Sequence, residues 1–148
     1  MSQAPARILV VNGPNLNLLG TREPEVYGTR SLADLESDLR RRAAELGCEI
    51  EFAQSNSESE IIDLIQAARE RVLAVILNPG ALAHYSYAIA DAIRSTALPV
   101  FEVHLSNIFA REEFRQRSVV APAAVAVITG AGFIGYELAL EAALRLAR

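Results

Sequence analysis

Cysteine is nearly absent: Cys48 is the single one in 148 residues, so no intrachain disulfide can form and no cysteine cage can hold a metal. Its position ahead of a β-rich run suits packing at a strand start. An excess of positive charge is also lacking. Fourteen basic against eighteen acidic residues leave a net charge of −4 and a pI near 5.2, which argues against a nucleic-acid or membrane-surface partner. A small anionic ligand is not excluded, because it feels local charge, and Arg111, Arg115 and Arg117 cluster. Glu112 and Glu113 sit among them, so a solvated helix face explains the same pattern. No apolar run approaches the roughly 20 residues needed to span a bilayer, and residues 1–7 carry no basic segment followed by an apolar one. A cytoplasmic protein without a membrane partner is expected. The length suits one domain, 1–148. A hydrophobic share of 51% hints at subunit contacts, although a closely packed core gives the same composition.

Five short β-rich runs recur: Ile8–Val11, Glu49–Phe52, Leu73–Leu77, Val100–Val103 and Val125–Ile128. Most are almost continuously apolar, as strands of a parallel sheet covered on both faces are. Glu49-Ile50-Glu51-Phe52 alternates and suggests an edge. Helical patterns lie between them. One opens at Ser31 and stops at Gly47, a second opens with the capping-box sequence Ser57-Glu58-Ser59-Glu60, and a third runs from about His84 to Arg94. A short charged helix is expected over about 111–117 and a last one over about 132–146. This alternation predicts an α/β fold: a flavodoxin-like, doubly wound five-stranded parallel sheet with helices on both faces. Ligands of such sheets sit outside the carboxyl ends of the strands, which directs attention to 12–30, 78–83, 104–109 and the stretch from 130.

The first of these is long for a strand-to-helix connection and reads as a lid over about 16–30. It carries Asn12-Gly13-Pro14-Asn15-Leu16-Asn17, then Arg22, Glu23, Pro24, Tyr27 and Gly28. After the third strand, Asn78-Pro79-Gly80-Ala81 leads to His84, and the spacing of His84, Ala88 and Asp91 predicts one shared helical face. After the fourth stands Glu102-Val103-His104-Leu105-Ser106-Asn107. Strand alternation puts Glu102 and His104 on one side, with His104 at the carboxyl edge, where a carboxylate can hold an imidazole in one tautomer and favour its protonated form. An exposed edge pair has the same spacing.

Gly130-Ala131-Gly132-Phe133-Ile134-Gly135 matches the dinucleotide fingerprint, follows a strand and opens a helix. The fingerprint also needs a further strand with an acidic residue about 20 positions on, and the sequence reaches Arg148 within the helix. Tight turning and close helix-to-sheet packing account for these glycines better. A phosphoacceptor regulator of the same fold would need carboxylates after the first strand, where Asn12-Gly13-Pro14-Asn15 stands. A mononucleotide-binding electron carrier would need a phosphate cradle there, and Pro14 removes a donor.

Taken together and in order, Asn12–Asn17, Arg22-Glu23-Pro24 with Val26-Tyr27-Gly28, Asn78–Ala81, Glu102–Asn107 and Ala110-Arg111-Glu112-Glu113-Phe114-Arg115 resemble the type II 3-dehydroquinate dehydratases over nearly the whole chain. That resemblance implies the flavodoxin-like fold and a reversible trans elimination of water from 3-dehydroquinate, giving 3-dehydroshikimate through an enolate in the shikimate route to aromatic compounds. It implies no metal and no organic cofactor, and a homododecamer built as a tetramer of trimers. By the same analogy Tyr27, as phenolate, takes a proton beside the ketone, Asn15 holds a water that stabilises the enolate, and His104 protonates the departing hydroxyl. Arg22 favours the phenolate. The backbone of Leu105 and Ser106 meets the substrate carboxylate, Asn78, His84, Asp91 and Arg115 contact hydroxyls, and Glu102 orients His104. A tyrosine ionised at pH 7 costs roughly 4 kcal/mol against an ordinary value near 10 unless cations offset it, and Arg22 and Arg111 are available. The sequence departs from the commonest family pattern at Ala83, Tyr85, Ala90 and Phe109; the loss of an arginine beside Asp91 puts affinity in question more than reaction type.

Overall fold

Alternation of side chains along the strands decides the architecture, because the central strands bury both of their faces. In β1 (Arg7–Asn12) Ile8 and Val10 point to one side of the sheet and Leu9 and Val11 to the other, all buried. The computed structural model describes residues 4–21 and 23–147; Arg22 and the side chain of Tyr27 lie outside the described residues. The further strands are β2 (Glu49–Gln54), β3 (Ala74–Asn78), β4 (Val100–His104) and β5 (Ala126–Thr129). All pair in parallel in the order β2-β1-β3-β4-β5, the flavodoxin-like order. The alternating strand β2 is an edge, as its pattern predicts.

The helices are α1 (Pro24–Tyr27), α2 (Leu32–Leu46), α3 (Glu58–Ala68), α4 (Tyr87–Thr96) and α5 (Ile134–Leu146). Leu35, Leu39, Tyr136, Leu140 and Ala143 of α2 and α5 pack on Ile8, Val10, Ile76 and Phe101. Ile61, Ile65, Ile89 and Ile93 of α3 and α4 pack on Leu9, Val11, Val75 and Leu77. Two apolar layers thus sandwich the sheet, and the strand ends are left to define a cleft.

Helix ends follow local chemistry. Ser31 forms a full capping box with Asp34, and Gly47 closes α2 with φ 75°. At Ser57 only half of the expected box forms: the serine oxygen accepts from the Glu60 N–H, while the Glu60 carboxylate takes the Ser55 hydroxyl at 2.9 Å instead. The third helix begins later than expected. Gly80–His84 is a 3-10 turn, and Ser86, accepting from the Ile89 N–H at 3.1 Å, starts α4 at Tyr87. His84 and Asp91 therefore do not share a helix, which corrects the one-face expectation. The charged helix expected over 111–117 is also absent; that stretch holds only a 3-10 turn at Glu113–Arg115. The glycine-rich tail turn behaves as its spacing suggests. Gly130 has φ 91° with Asn107 3.1 Å from where a Cβ would stand, and a Cβ on Gly135 would stand 3.5 Å from Ile128 and Val103.

Candidate active site

The carboxyl ends of β1, β3 and β4 open on one cleft. Two loops form its near wall by packing backbone on backbone: the Gly13 N–H donates to the Asn78 carbonyl at 2.7 Å, and a Cβ on Gly13 would stand 2.6 Å from the Pro79 oxygen. Only glycine allows this approach. It carries Asn15 to the rim, with φ 69° and its N–H donating to the Asn56 side chain. Asn15, Asn78, His84, His104, Leu105 and Ser106 line the cleft together with Arg111 and Arg115. Among the expected site residues these eight are brought together.

His104 ends β4 with 6% of its surface exposed, and its Nε2 lies 2.6 Å from the carboxylate of Glu102, which is wholly buried. The other Glu102 oxygen accepts from the Ser118 hydroxyl at 3.0 Å, and Ser118 in turn accepts from the Ala121 N–H. Both carboxylate oxygens are thus used as acceptors. A carboxylate held in this way gives Nε2 the proton and leaves Nδ1 as the second ring nitrogen. The pair is internal rather than an exposed edge pair.

His84 stands opposite. Its Nδ1–H donates to the Arg117 carbonyl at 2.8 Å, so in the neutral ring Nε2 is the acceptor. The two imidazoles lie near-parallel with centroids 6.5 Å apart, and Phe114 meets His84 edge-on at 6.1 Å. Val119 N–H donates to the Ala83 carbonyl at 2.7 Å, which fastens the 117–119 segment to the 3-10 turn.

The arginine cluster is not a solvated helix face. The side chain of Arg111 is 11% exposed, with Nη1 3.4 Å from the Ser106 hydroxyl and Nη2 4.0 Å from Glu23 of the long loop. Arg115 lies over Phe114 at 4.7 Å and donates to Glu112 at 2.7 Å; that bond holds the Glu112 carboxyl below the usual carboxylate range. Arg117 is exposed and contributes its carbonyl. Two guanidinium groups thus face a cleft of an acidic chain, an arrangement suited to an anionic ligand.

Asp91 is exposed on α4 and does not line this cleft. Arg22 and the Tyr27 side chain lie outside the described residues, although the backbone of Tyr27 ends α1. Of the four departures from the family pattern, Ala83 and Ala90 are buried and Tyr85 and Phe109 are exposed. Sequence reasoning missed Ser118 and Tyr136. The signal for Tyr136 was a single polar group in an otherwise apolar helix face.

Comparison with known proteins agrees with this geometry. The family model described as dehydroquinase class II matches residues 6–144. A 3-dehydroquinate dehydratase of Bacillus subtilis is 55% identical over 133 residues, 90% of each chain. One of Thermus thermophilus is 55% identical over 134 residues, again 90% of each. The crystal structure of a type II dehydroquinase from Butyrivibrio crossotus superposes with a TM-score of 0.94 at 42% identity, over 96% of this chain and 99% of that one. That from Propionibacterium acnes gives 0.89 at 46% identity, over 99% of each chain. With a family match across the sheet, the cleft and most of α5, the chain belongs to the class II dehydroquinases.

Proposed function

We propose that the cleft catalyses the reversible trans-dehydration of 3-dehydroquinate to 3-dehydroshikimate, a hydro-lyase step of the shikimate pathway, with Tyr27 as base and His104 as acid. The observation that carries this reading is the buried Glu102–His104 pair at the end of β4, facing Asn15, His84 and two arginines in a chain more than half identical to 3-dehydroquinate dehydratases. The substrate is a carboxylate bearing a ketone and hydroxyls. Arg111 and Arg115 supply positive charge, and the Leu105-Ser106 backbone meets the carboxylate. Asn78, His84 and Arg115 contact hydroxyls.

The chain's own residues limit how the ketone is activated. All fourteen basic residues are arginine, so no lysine side chain is present to form a Schiff base with it. Elimination then runs by removal of the proton beside the ketone, with the electron pair held as an enolate. Tyr27 phenolate takes that proton, Arg22 and Arg111 favour the phenolate, and a water on Asn15 donates to the enolate oxygen. The Asn15 side chain has no partner among the described residues, so its amide is available for that water. His104 then gives a proton to the departing hydroxyl as the carbon–oxygen bond breaks, and the enolate collapses to the conjugated enone. None of these steps uses a metal or an organic cofactor.

The same proposal makes residues 1–148 one catalytic domain with a lid at about 16–30, working in the cytoplasm. The contact of Glu23 with Arg111 supports placing the lid beside the cleft. It also includes a homododecamer, a tetramer of trimers, in which Asp91 serves the cleft of a neighbouring copy; its exposed position on α4, away from its own cleft, supports that role. The test is ultraviolet absorbance of the protein mixed with 3-dehydroquinate, because the enone product absorbs and the substrate does not. Absorbance should rise with the wild type. With Tyr27→Phe turnover should vanish while ligand binding stays largely intact, and a variant retaining near-native rate would refute the base assignment.

A further inference from the structure

Tyr136 is wholly buried in α5, yet its hydroxyl meets Asn78, which lines the cleft. It donates to Asn12 Oδ1 at 2.8 Å and accepts from Asn78 Nδ2 at 2.8 Å. The direction of each bond is fixed from both ends. Asn12 Nδ2 donates to the Ala53 carbonyl at 3.1 Å, and a carbonyl can only accept, so Oδ1 is the Asn12 atom left to face Tyr136. An amide oxygen cannot donate, so the hydroxyl proton points to Asn12 and the phenol lone pair to Asn78. At the far end the Gly80 N–H, a pure donor, donates to Asn78 Oδ1 at 3.1 Å. Both constraints select the same orientation of the Asn78 amide, with one N–H on Tyr136 and a second left over.

We propose that Tyr136 is a positioning residue: through Asn12 it fixes the Asn78 amide so that its second N–H faces the cleft, making this subsite a hydrogen-bond donor that selects an acceptor oxygen on the substrate. The relay ties the ends of β1 and β3 to α5 and, through Ala53, to β2. Burial of the phenol raises its ionisation well above the ordinary tyrosine range, so the hydroxyl keeps its proton across the working pH range. The inference rests on the proposed activity, because its readout is turnover of 3-dehydroquinate.

The test is a double-mutant cycle on Tyr136→Phe and Asn78→Ala, measuring kcat and KM separately. Phenylalanine keeps the ring that fills the core and removes only the relay. Tyr136→Phe is expected to raise KM about fivefold to tenfold, the effect of one lost hydrogen bond, with kcat changed much less. In the Asn78→Ala background the same substitution should change KM less than about twofold, because its route to the substrate is gone. Effects that multiply independently would make Tyr136 a packing residue and overturn the proposal. Should Tyr136→Phe fail to fold, p-aminophenylalanine at 136 keeps a donor for Asn12 and is a poor acceptor for Asn78; it must show the same coupled KM increase, and a native KM there overturns the proposal. Wild-type protein that leaves 3-dehydroquinate unchanged would sink the proposed activity instead. An active wild type with an additive cycle sinks the Tyr136 inference alone.

Discussion

Replacing Glu102 by glutamine separates charge from shape at the buried pair. The carboxylate makes two bonds, to His104 Nε2 at 2.6 Å and from the Ser118 hydroxyl at 3.0 Å. Glutamine can keep both. Its carbonyl oxygen takes the His104 N–H, and its amide nitrogen donates to Ser118, whose hydroxyl can turn to accept. What is lost is the negative charge behind the imidazole. A hydrogen bond to a charged partner contributes about 1.5–3 kcal/mol net and a neutral one about 1, so roughly 0.5–2 kcal/mol disappears. That loss falls on the state in which His104 is the acid. At about 1.36 kcal/mol per tenfold, kcat should drop roughly twofold to thirtyfold.

Glu102 does not line the cleft, so KM should move by less than about threefold, and thermal stability should stay near wild type. Glu102→Ala is the contrast. It strands the His104 N–H in a site 6% exposed, costing about 1–3 kcal/mol for the unpaired donor, and should lower both stability and kcat. The assay is the initial rate of enone absorbance over a substrate series, with denaturant unfolding alongside. A Glu102→Gln protein with kcat equal to that of wild type would refute the role of the negative charge behind His104. A loss beyond about ten-thousandfold would refute it from the other side, since only a group handling the transferred proton itself costs that much.

Two further outcomes are expected. Gly13→Ala puts a Cβ 2.6 Å from the Pro79 oxygen, so the loops must part and stability should fall by about 1–3 kcal/mol, read as a shift in the urea midpoint; an unchanged midpoint would show that the backbone contact is dispensable. Of the four tyrosines, Tyr136 should ionise only when the chain unfolds, because its folded value is raised. Below pH about 10 both states keep that proton; above it only the unfolded chain releases it, so stability falls as pH rises, and absorbance at the phenolate band should show one tyrosine appearing together with unfolding. A fourth tyrosine titrating before the fold is lost would contradict its burial.

The fold was legible because parallel strands buried on both faces leave continuous apolar runs, and β1, β3 and β4 have such faces. Each observed strand extends past its apolar run into polar residues that the sheet still pairs, such as Asn12, Asn78 and His104. Of these extra residues Asn78 and His104 line the cleft, and Asn12 lies buried beneath it. The misplaced start of α4 has the same origin. Apolar spacing continues backward from Ile89 to Leu82, but the Ser86 hydroxyl caps the Ile89 N–H and also donates to Glu58 at 2.5 Å on α3. That tertiary bond draws Ser86 out of the helix, and it cannot be read from spacing within one segment. The same holds at Ser57, where Glu60 prefers Ser55 to the local box.

In the site, what was readable was the residue that ends each strand, because alternation and the carboxyl-edge rule place it without knowledge of the rest. What was hidden was the residue that holds it from elsewhere in the chain. Ser118 reaches Glu102 across 16 positions and Tyr136 reaches Asn12 across 124. Neither distance has a period or a motif. Yet elementary accounting constrains both partners: a buried carboxylate beside one histidine has acceptor capacity left over, and a buried asparagine has more polar groups than one neighbour can satisfy. Burial of Glu102 and Asn78 therefore requires a further donor or acceptor for each. Only the fold could say which one, since it is α5 lying against β3 and β4 that brings Tyr136 to the two asparagines, and the segment after Arg117 that places Ser118 on Glu102.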